Sequence, residues 1–349
     1  MRNLAITLCQ GTWSRFRGNI MRAVTLVLEE AGHRVTQVSD GPLDLRADGV
    51  VWMLGNVNRF PLICRQLTST PRSERPFVLL WHTELLPPPK GAGLPWPRLH
   101  VREIVAILRR KVYATDVYTN YFRLCALARK GLPDLLLAPT LDRYEFLIER
   151  DISAYWAPLG YDPSRGYDMG LPRDIDVLFL GTLDIPRRKR IIKHLRRGGV
   201  DLLTMGSRFD PTCWGEDRTR LLNRTKIFLN ISRGPGQLPD TRLILGMANR
   251  ALVISEPIYN PAPYVPGKHY ISAAIEDLPE MIAYYLTHDY ERERIANEGH
   301  RLVTQEVTMA RSVSRILELV REQLHQKQLA RLCGAHQQEF SWEGRKDLC

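Results

Sequence analysis

Apolar positions along the first 160 residues fall into short unbroken runs with amphipathic stretches between them. Leu4–Leu8, Gly49–Leu54 (GVVWML), Phe77–Trp81 (FVLLW), Leu135–Ala138 and Tyr155–Leu159 read as strands, and His33–Val38 alternates like one. Continuous runs are what strands buried on both faces of a parallel sheet require. Between them, Gly18–Ala31 places Ile20, Val24, Leu26, Val27 and Leu28 on one helical face and stops at Gly32, a residue that suits a helix end. Phe60–Leu67, Val101–Lys111 and Val117–Ala128 also read as helices. Pro87–Pro97 carries five prolines and two glycines and reads as a surface loop.

The segment Gly160–Arg173 (GYDPSRGYDMGLPR) has no periodicity and reads as a linker. A second alternating set follows it. Asp176–Leu180, Asp201–Met205, Lys226–Ile231 and Ala251–Ser255 read as strands. Arg187–Arg197, Thr241–Ala248, Leu278–Leu286, Glu291–Val307 and Ala310–Leu329 read as helices. No repeat of 20–50 residues is visible. The expected fold is α/β, with two doubly wound Rossmann-like domains over residues 1–160 and 174–310, joined by a linker over 161–173. A helix over 311–330 and a polar tail over 331–349, expected to lack fixed structure, would complete the chain. Open parallel sheets bind ligands beyond the carboxyl ends of their strands, so both domains should turn those ends toward one cleft.

Composition narrows the class only slightly. Apolar residues make up 44% and charged residues 25%, which is ordinary globular usage. Lys and Arg number 49 against 38 Asp and Glu, a net charge of +11. That excess favours an anionic partner, whether phosphate, nucleic acid or a lipid surface, although a basic but ordinary enzyme fits as well. The six cysteines form no CxxC pair, which leaves zinc and thioredoxin chemistry without support. Cys9, Cys64 and Cys125 sit in apolar runs, and a reduced, cytoplasmic protein is expected. The N-terminal apolar run is too short for a secretory signal, and no stretch approaches the roughly 18 apolar residues of a membrane span. A GxxxxGK(S/T) loop and a GxGxxG after the first strand are both missing, which argues against an ATPase, a kinase or a dinucleotide oxidoreductase.

Three pieces of the second half carry a family resemblance: VLFLGTLDIPRRKR (Val177–Arg190), KIFLNIS (Lys226–Ser232) and DTRLILGMANRALVISE (Asp240–Glu256), followed by a stretch ending in ERERIANEG. Over roughly Asp174–Leu317 the chain resembles the nucleotide-sugar domain of GT-B glycosyltransferases, nearest the spore-maturation (CgeB-like) branch. The first half matches in architecture alone. The resemblance implies GT-B architecture and transfer of a sugar from a nucleotide-sugar donor. The chain departs from the pattern at three places. Leu245 stands where retaining members usually carry a ribose-binding Glu, Arg250 stands where a small Gly usually precedes the strand, and Gln237 and Asp240 lie near an expected upstream Glu.

The resemblance assigns Arg187, Arg188 and Lys189 to the donor diphosphate. Fixed cations stabilise a leaving diphosphate as its charge grows, and Arg can hold two phosphate oxygens at once. Acidic residues are the usual choice at a helix start, so this basic start wants an anion, although a solvated basic helix is the plainer explanation. Gly181 ends the preceding strand on the donor side. Ser232 and Arg233 open a loop with Gly234 and Gly236, whose backbone amides could approach a phosphate or simply turn the chain. Arg242 starts the next helix, within reach of the same anion or of solvent only. His82 and Glu84 follow the FVLLW strand and are the catalytic candidates, as base or sugar-polarising group; the alternative is a histidine held by loop carbonyls. Trp13, Arg15 and Arg17, after the first strand, suit acceptor contact or a polar helix lead-in. Asp174-Ile175-Asp176 copies a DxD metal motif but precedes its strand, so no metal site is expected there.

The leading expectation is a metal-independent glycosyltransferase that uses a nucleotide-sugar as substrate, needs no further cofactor, and acts on an unidentified acceptor hydroxyl. A non-catalytic nucleotide-sugar-binding relative and a basic nucleic-acid-modifying protein are the alternatives. Nucleic acid ranks low as a partner, for want of basic–aromatic interleaving. Peripheral contact with an anionic membrane surface stays open.

Overall fold

The computed structural model describes residues 3–10, 18–45, 49–96, 101–108, 117–183, 185–206, 211–238 and 241–343. The first half runs β1 (Ala5–Gln10), α1 (Gly18–Glu30), β2 (Arg34–Ser39), β3 (Gly49–Leu54), α2 (Pro61–Ser69), β4 (Phe77–Trp81), α3 (Val101–Leu108), α4 (Val117–Ala128), β5 (Leu135–Ala138), α5 (Leu141–Ile148) and β6 (Tyr155–Trp156). The second runs β7 (Ile175–Leu180), α6 (Pro186–Arg197), β8 (Leu203–Met205), α7 (Gly215–Asn223), β9 (Thr225–Asn230), α8 (Arg242–Ala248), β10 (Leu252–Ser255), β11 (Ile271–Ser272), α9 (Leu278–Thr287), α10 (Asp289–Arg301) and α11 (Met309–Glu343).

Each half builds one parallel sheet. The first has strand order β2-β1-β3-β4-β5-β6 and the second β11-β10-β9-β7-β8. Read from β8, the second repeats the winding of the first: its order reverses between β7 and β9, as the first reverses between β1 and β3. Connections on either side of such a reversal leave toward opposite faces, and a crevice opens at the carboxyl ends of the two strands. The winding therefore points to the tips of β7 and β9 before any side chain is considered.

Alternate residues of each strand feed the two faces. In β3 and β4, Trp52 and Trp81 join one core and Met53 and Leu80 the other. The Trp81 indole sits 6.2 Å from that of Trp52 and donates to the Ala157 carbonyl, so its polar edge is satisfied inside. The first of these cores is closed by α1 and by α11, which contributes Met309, Val313, Ile316, Leu317, Leu319 and Val320. The last helix thus covers the first sheet, although it follows the second in sequence. It runs to Glu343, beyond the end at Leu329 that periodicity suggested.

The crossing that brings α11 back is tight. Tyr161 donates its backbone N–H to Val307 (2.7 Å), and Met309 donates to the Tyr161 carbonyl (2.8 Å). A Cβ on Gly160 would lie 2.2 Å from the Thr308 carbonyl carbon, so only glycine lets the two backbones approach this closely. The segment expected to be a linker is held along its length. Arg218 donates to Ser164, Asn223 to Tyr167, and Arg173 to the carbonyls of Thr225 and Asn249. Gly160→Ala should lower stability by about 1–3 kcal/mol, since neither backbone can move aside freely. A thermal melt of the variant that matches the wild type would contradict this crossing.

Candidate diphosphate site at the tips of the second sheet

β7 ends at Leu180 and the chain turns at Gly181, whose N–H donates to Met205. A Cβ there would stand 2.9 Å from an Arg242 guanidinium nitrogen, so the missing side chain is what admits Arg242. Arg242, at the start of α8, donates to the Leu180 carbonyl. Arg188, in the first turn of α6, donates to Ile231 (3.0 Å) and Thr182 (3.4 Å), bridging the tips of β9 and β7. Both guanidinium groups lie over the Phe179 ring, at 5.6 Å for Arg188 and 5.4 Å for Arg242. An aromatic face attracts cations and orients them.

The charge is not balanced. Among the described residues, no carboxylate forms an ion pair with Arg188 or Arg242. Burial, then the like charges of Arg188 and Arg233, pull the Arg242 guanidinium down to about 9. Burial, Arg233 and Arg187 pull Arg188 down to about 10, with Glu256 acting the other way. At neutral pH both stay charged, and each guanidinium keeps donors beyond those its carbonyl partners use. A positive spot at a sheet's switch point is suited to a small polyanion.

Arg187 behaves differently. It donates both guanidinium nitrogens to the carboxylate of Glu256, which is only 3% exposed, and a further hydrogen bond to the Ser232 carbonyl. Glu256 also accepts the Ser232 N–H at 2.8 Å. The Ser232 hydroxyl donates to Gln237, and the Gln237 side chain accepts from Gly234. The loop after β9 is therefore fixed from within, with Arg233 exposed at its rim. Lys189 is exposed on the outer side of α6, one helical step of about 100° from Arg188. Of the residues expected to hold the donor, Gly181, Arg188, Ser232, Arg233 and Arg242 come together, Arg187 is committed to Glu256, and Lys189 faces elsewhere. Glu256 was missed because it reads as one polar residue after an apolar strand; only its distant partner gives it meaning.

On the opposing half, His82 follows β4 and donates its backbone N–H to Leu137. Its side chain is 1% exposed, whereas Glu84 is half-buried. The segment is pinned by Arg143, which donates to Thr83, and by Asn120, which donates to Leu85. Asn120 in turn accepts from Asn56 and Asn58, beyond the tip of β3. These buried amides were also missed, although GNVNR directly after GVVWML is an unusual polar cluster beside an apolar strand. Trp13, Arg15 and Arg17 lie outside the described residues. The carboxyl-end loops of the two halves meet: Leu94 of the proline-rich loop lies against Gly236, and Tyr259 and Asn260 donate to Glu145 of α5. Asp174 and Asp176 sit at the amino end of β7, paired with Arg224 (2.8 Å) and Lys226 (2.6 Å). No group of His, Cys, Asp and Glu able to hold a metal occurs among the described residues. No described helix is long and apolar enough to cross a membrane.

Comparison with known proteins follows this geometry. Residues 187–318 match the model of a glycosyl transferase-like family, a span that includes Arg188, Arg233, Arg242 and Glu256. Among solved structures, HepE of Anabaena in complex with UDP and glucose is similar at 11% identity and a TM-score of 0.62, covering 92% of this chain and 100% of that one. Sucrose-phosphate synthase from Thermosynechococcus elongatus is similar at 13% identity and a TM-score of 0.63, covering 93% and 100%. AviGT4, a glycosyltransferase of avilamycin A biosynthesis, is similar at 14% identity and a TM-score of 0.55, covering 92% and 98%. No curated protein matches the chain by sequence. The fold is that of the GT-B glycosyltransferases: two parallel α/β sheets with their carboxyl ends toward each other.

Removing the Glu256 carboxylate would strand a buried backbone N–H and the Arg187 fork. Glu256→Ala should therefore cost about 3–5 kcal/mol, the scale of breaking a buried pair. A denaturant melt reads it, and a loss under about 1 kcal/mol would show that the pair does not organise the loop.

Proposed function

We propose that the protein is a glycosyltransferase that moves a sugar from a nucleoside-diphosphate donor to an acceptor hydroxyl. In this reading residues 174–310 form the donor domain, residues 1–160 the acceptor domain, and the spore-maturation-like branch is its nearest kin. One observation carries the reading: Arg188 and Arg242 converge over Phe179 at the β7–β9 switch point, and no carboxylate among the described residues forms an ion pair with either. A diphosphate would supply the missing charge, and its growing charge on departure would be met by cations already in place. The fold and the match over residues 187–318 support the same class. HepE was crystallised with UDP, which makes UDP the first probe to try.

Within this reading the fixed arginines do what a divalent cation does in other transferases, so transfer proceeds without metal. Glu84, the more exposed of the two groups after β4, takes the proton of the acceptor hydroxyl, while His82 shapes the floor beneath it. Cys9, Cys64 and Cys125 form no disulfide, in keeping with work in a reducing, cytoplasmic setting. A second reading, donor binding without transfer, is favoured by Leu245 at the position of the usual ribose-binding Glu.

Calorimetry with UDP tests the donor site. Arg242→Met should lower affinity roughly tenfold or more, the scale of a charged hydrogen bond. The ligand-free variant should melt no lower than the wild type, because it loses an unbalanced buried charge. Unchanged UDP affinity with a lower melting temperature would make Arg242 a structural residue. Turnover of a radiolabelled UDP-sugar should survive EDTA; full loss with chelator, restored by magnesium, would reverse the metal-free reading. Glu84→Gln should lower turnover roughly 10²-fold with UDP affinity unchanged. Wild-type protein that binds UDP yet neither transfers nor hydrolyses any donor in a panel would favour the binding reading.

A further inference from the structure

We propose that the outer face of α6 is a docking site for an anionic lipid surface. The helix, PRRKRIIKHLRR, holds seven Lys and Arg residues and no acid. Its inward side is spent: Ile191, Ile192 and Leu195 belong to the core of the second half, and Arg188 reaches the diphosphate cluster. What remains outside is a stripe of Lys189, Lys193, Arg196 and Arg197, spaced so that all four share one face.

This stripe costs the helix something. Like charges four residues apart repel, as Lys189 does with Lys193 and Lys193 with Arg197. Lys189 stands in the first turn, where the helix dipole disfavours a cation. Among the described residues no carboxylate pairs with any of the four; Arg196 donates only to the Thr204 hydroxyl. Concentrated charge of one sign, left unpaired beside a protein's ligand site, is what an anionic surface recognises.

The shape selects among anions. The stripe lines an open groove of about 440 Å³ whose apolar surface comes from Leu183 and the methylene stems of the cations, above the buried Ile192. Cations around an apolar floor fit a phospholipid headgroup with the start of its acyl chains beneath it. A nucleic-acid backbone gains nothing from that floor, and the face offers no aromatic ring on which a base could stack. Arg188 is buried on the inward side of α6 and does not line the groove, so lipid and diphosphate would meet different side chains of one helix.

The test is cosedimentation with phosphatidylcholine vesicles, with and without phosphatidylglycerol, using the full chain. UDP calorimetry on the same samples keeps this proposal separate from the transfer reading. The wild type should bind only the vesicles with phosphatidylglycerol and leave them as salt rises. Lys193→Glu combined with Arg197→Glu should lower that binding on the order of 10²-fold, since each cation near the surface counts several-fold. UDP affinity should not move. The milder pair Lys193→Gln and Arg197→Gln guards against misfolding and should give an intermediate loss. Equal binding by wild type and both variants would overturn the proposal. So would equal binding to neutral vesicles, no binding to either kind, or a single-stranded RNA that displaces the vesicles at the same salt.

Discussion

Two guanidinium groups over one aromatic ring, with no carboxylate partner among the described residues, are the constraint around which the second half is built. Taking an ion out of water costs roughly several kcal/mol even after the protein relaxes. A fold tolerates that only where something returns the energy. Several nearby features reduce the cost without removing it. Phe179 offers its ring face to both groups, the carbonyls of Leu180, Thr182 and Ile231 take some of the donors, and Gly181 leaves room. Glu256, which also faces this cluster, is spent on Arg187 and the Ser232 N–H. Had Glu256 been free to swing to Arg188, one of the two cations would carry a partner and an anion would gain less. The Arg187 fork is thus as important for keeping the carboxylate away as for holding the loop.

The same logic separates the two faces of α6. Its first turn contributes Arg188 inward and Lys189 outward, and the sequence RRK treats them alike. Only the rotation of about 100° per residue distinguishes them. A basic cluster can thus be a ligand site, a surface and a loop anchor at once, and spacing along the chain does not say which residue is which until the helix has a core-facing side. Here Ile191, Ile192 and Leu195 fix that side.

Much of the fold was legible because parallel strands advertise themselves. FVLLW is buried throughout and GVVWML at all but its two ends, and both appear as strands with the expected limits, Phe77–Trp81 and Gly49–Leu54. Helices with polar residues on most of their surface were not legible. LDRYEFLI and GEDRTRLLN, which form α5 and α7, are short and charged, and their helicity comes from packing rather than propensity. The two-residue β11 pairs with only two residues of β10, too little for any pattern to register. In the site, residue type identified the cations but not their partners. Asn120 lies more than sixty residues from Asn56 and Asn58, and Glu256 lies 69 from Arg187, so the contacts that define their roles exist only after folding.

The departure at Leu245 rests on the register of the resemblance, and the backbone at Arg250 agrees with that register. Arg250 has φ +52°, the left-handed region that costs a side-chain-bearing residue roughly 1–2 kcal/mol and glycine almost nothing. This is the position where the resembling family places its small Gly, and a demand for positive φ is a physical reason for Gly to be there. The chain meets the same demand with an arginine held on both sides. Its guanidinium donates to Asn297 at 2.6 Å and to Asp168 at 2.6 Å, contacts that offset the strain and tie α10 to the segment before β7. With Arg250 anchored as the Gly equivalent, the residue five before it is the Glu equivalent, and that residue is Leu245. Leu245 packs against the apolar core beside α8 instead of offering a carboxylate. Under the proposed function, a nucleotide at the β7–β9 tips would place its ribose hydroxyls without a carboxylate from Leu245, which would leave the arginines as the main grip on the donor.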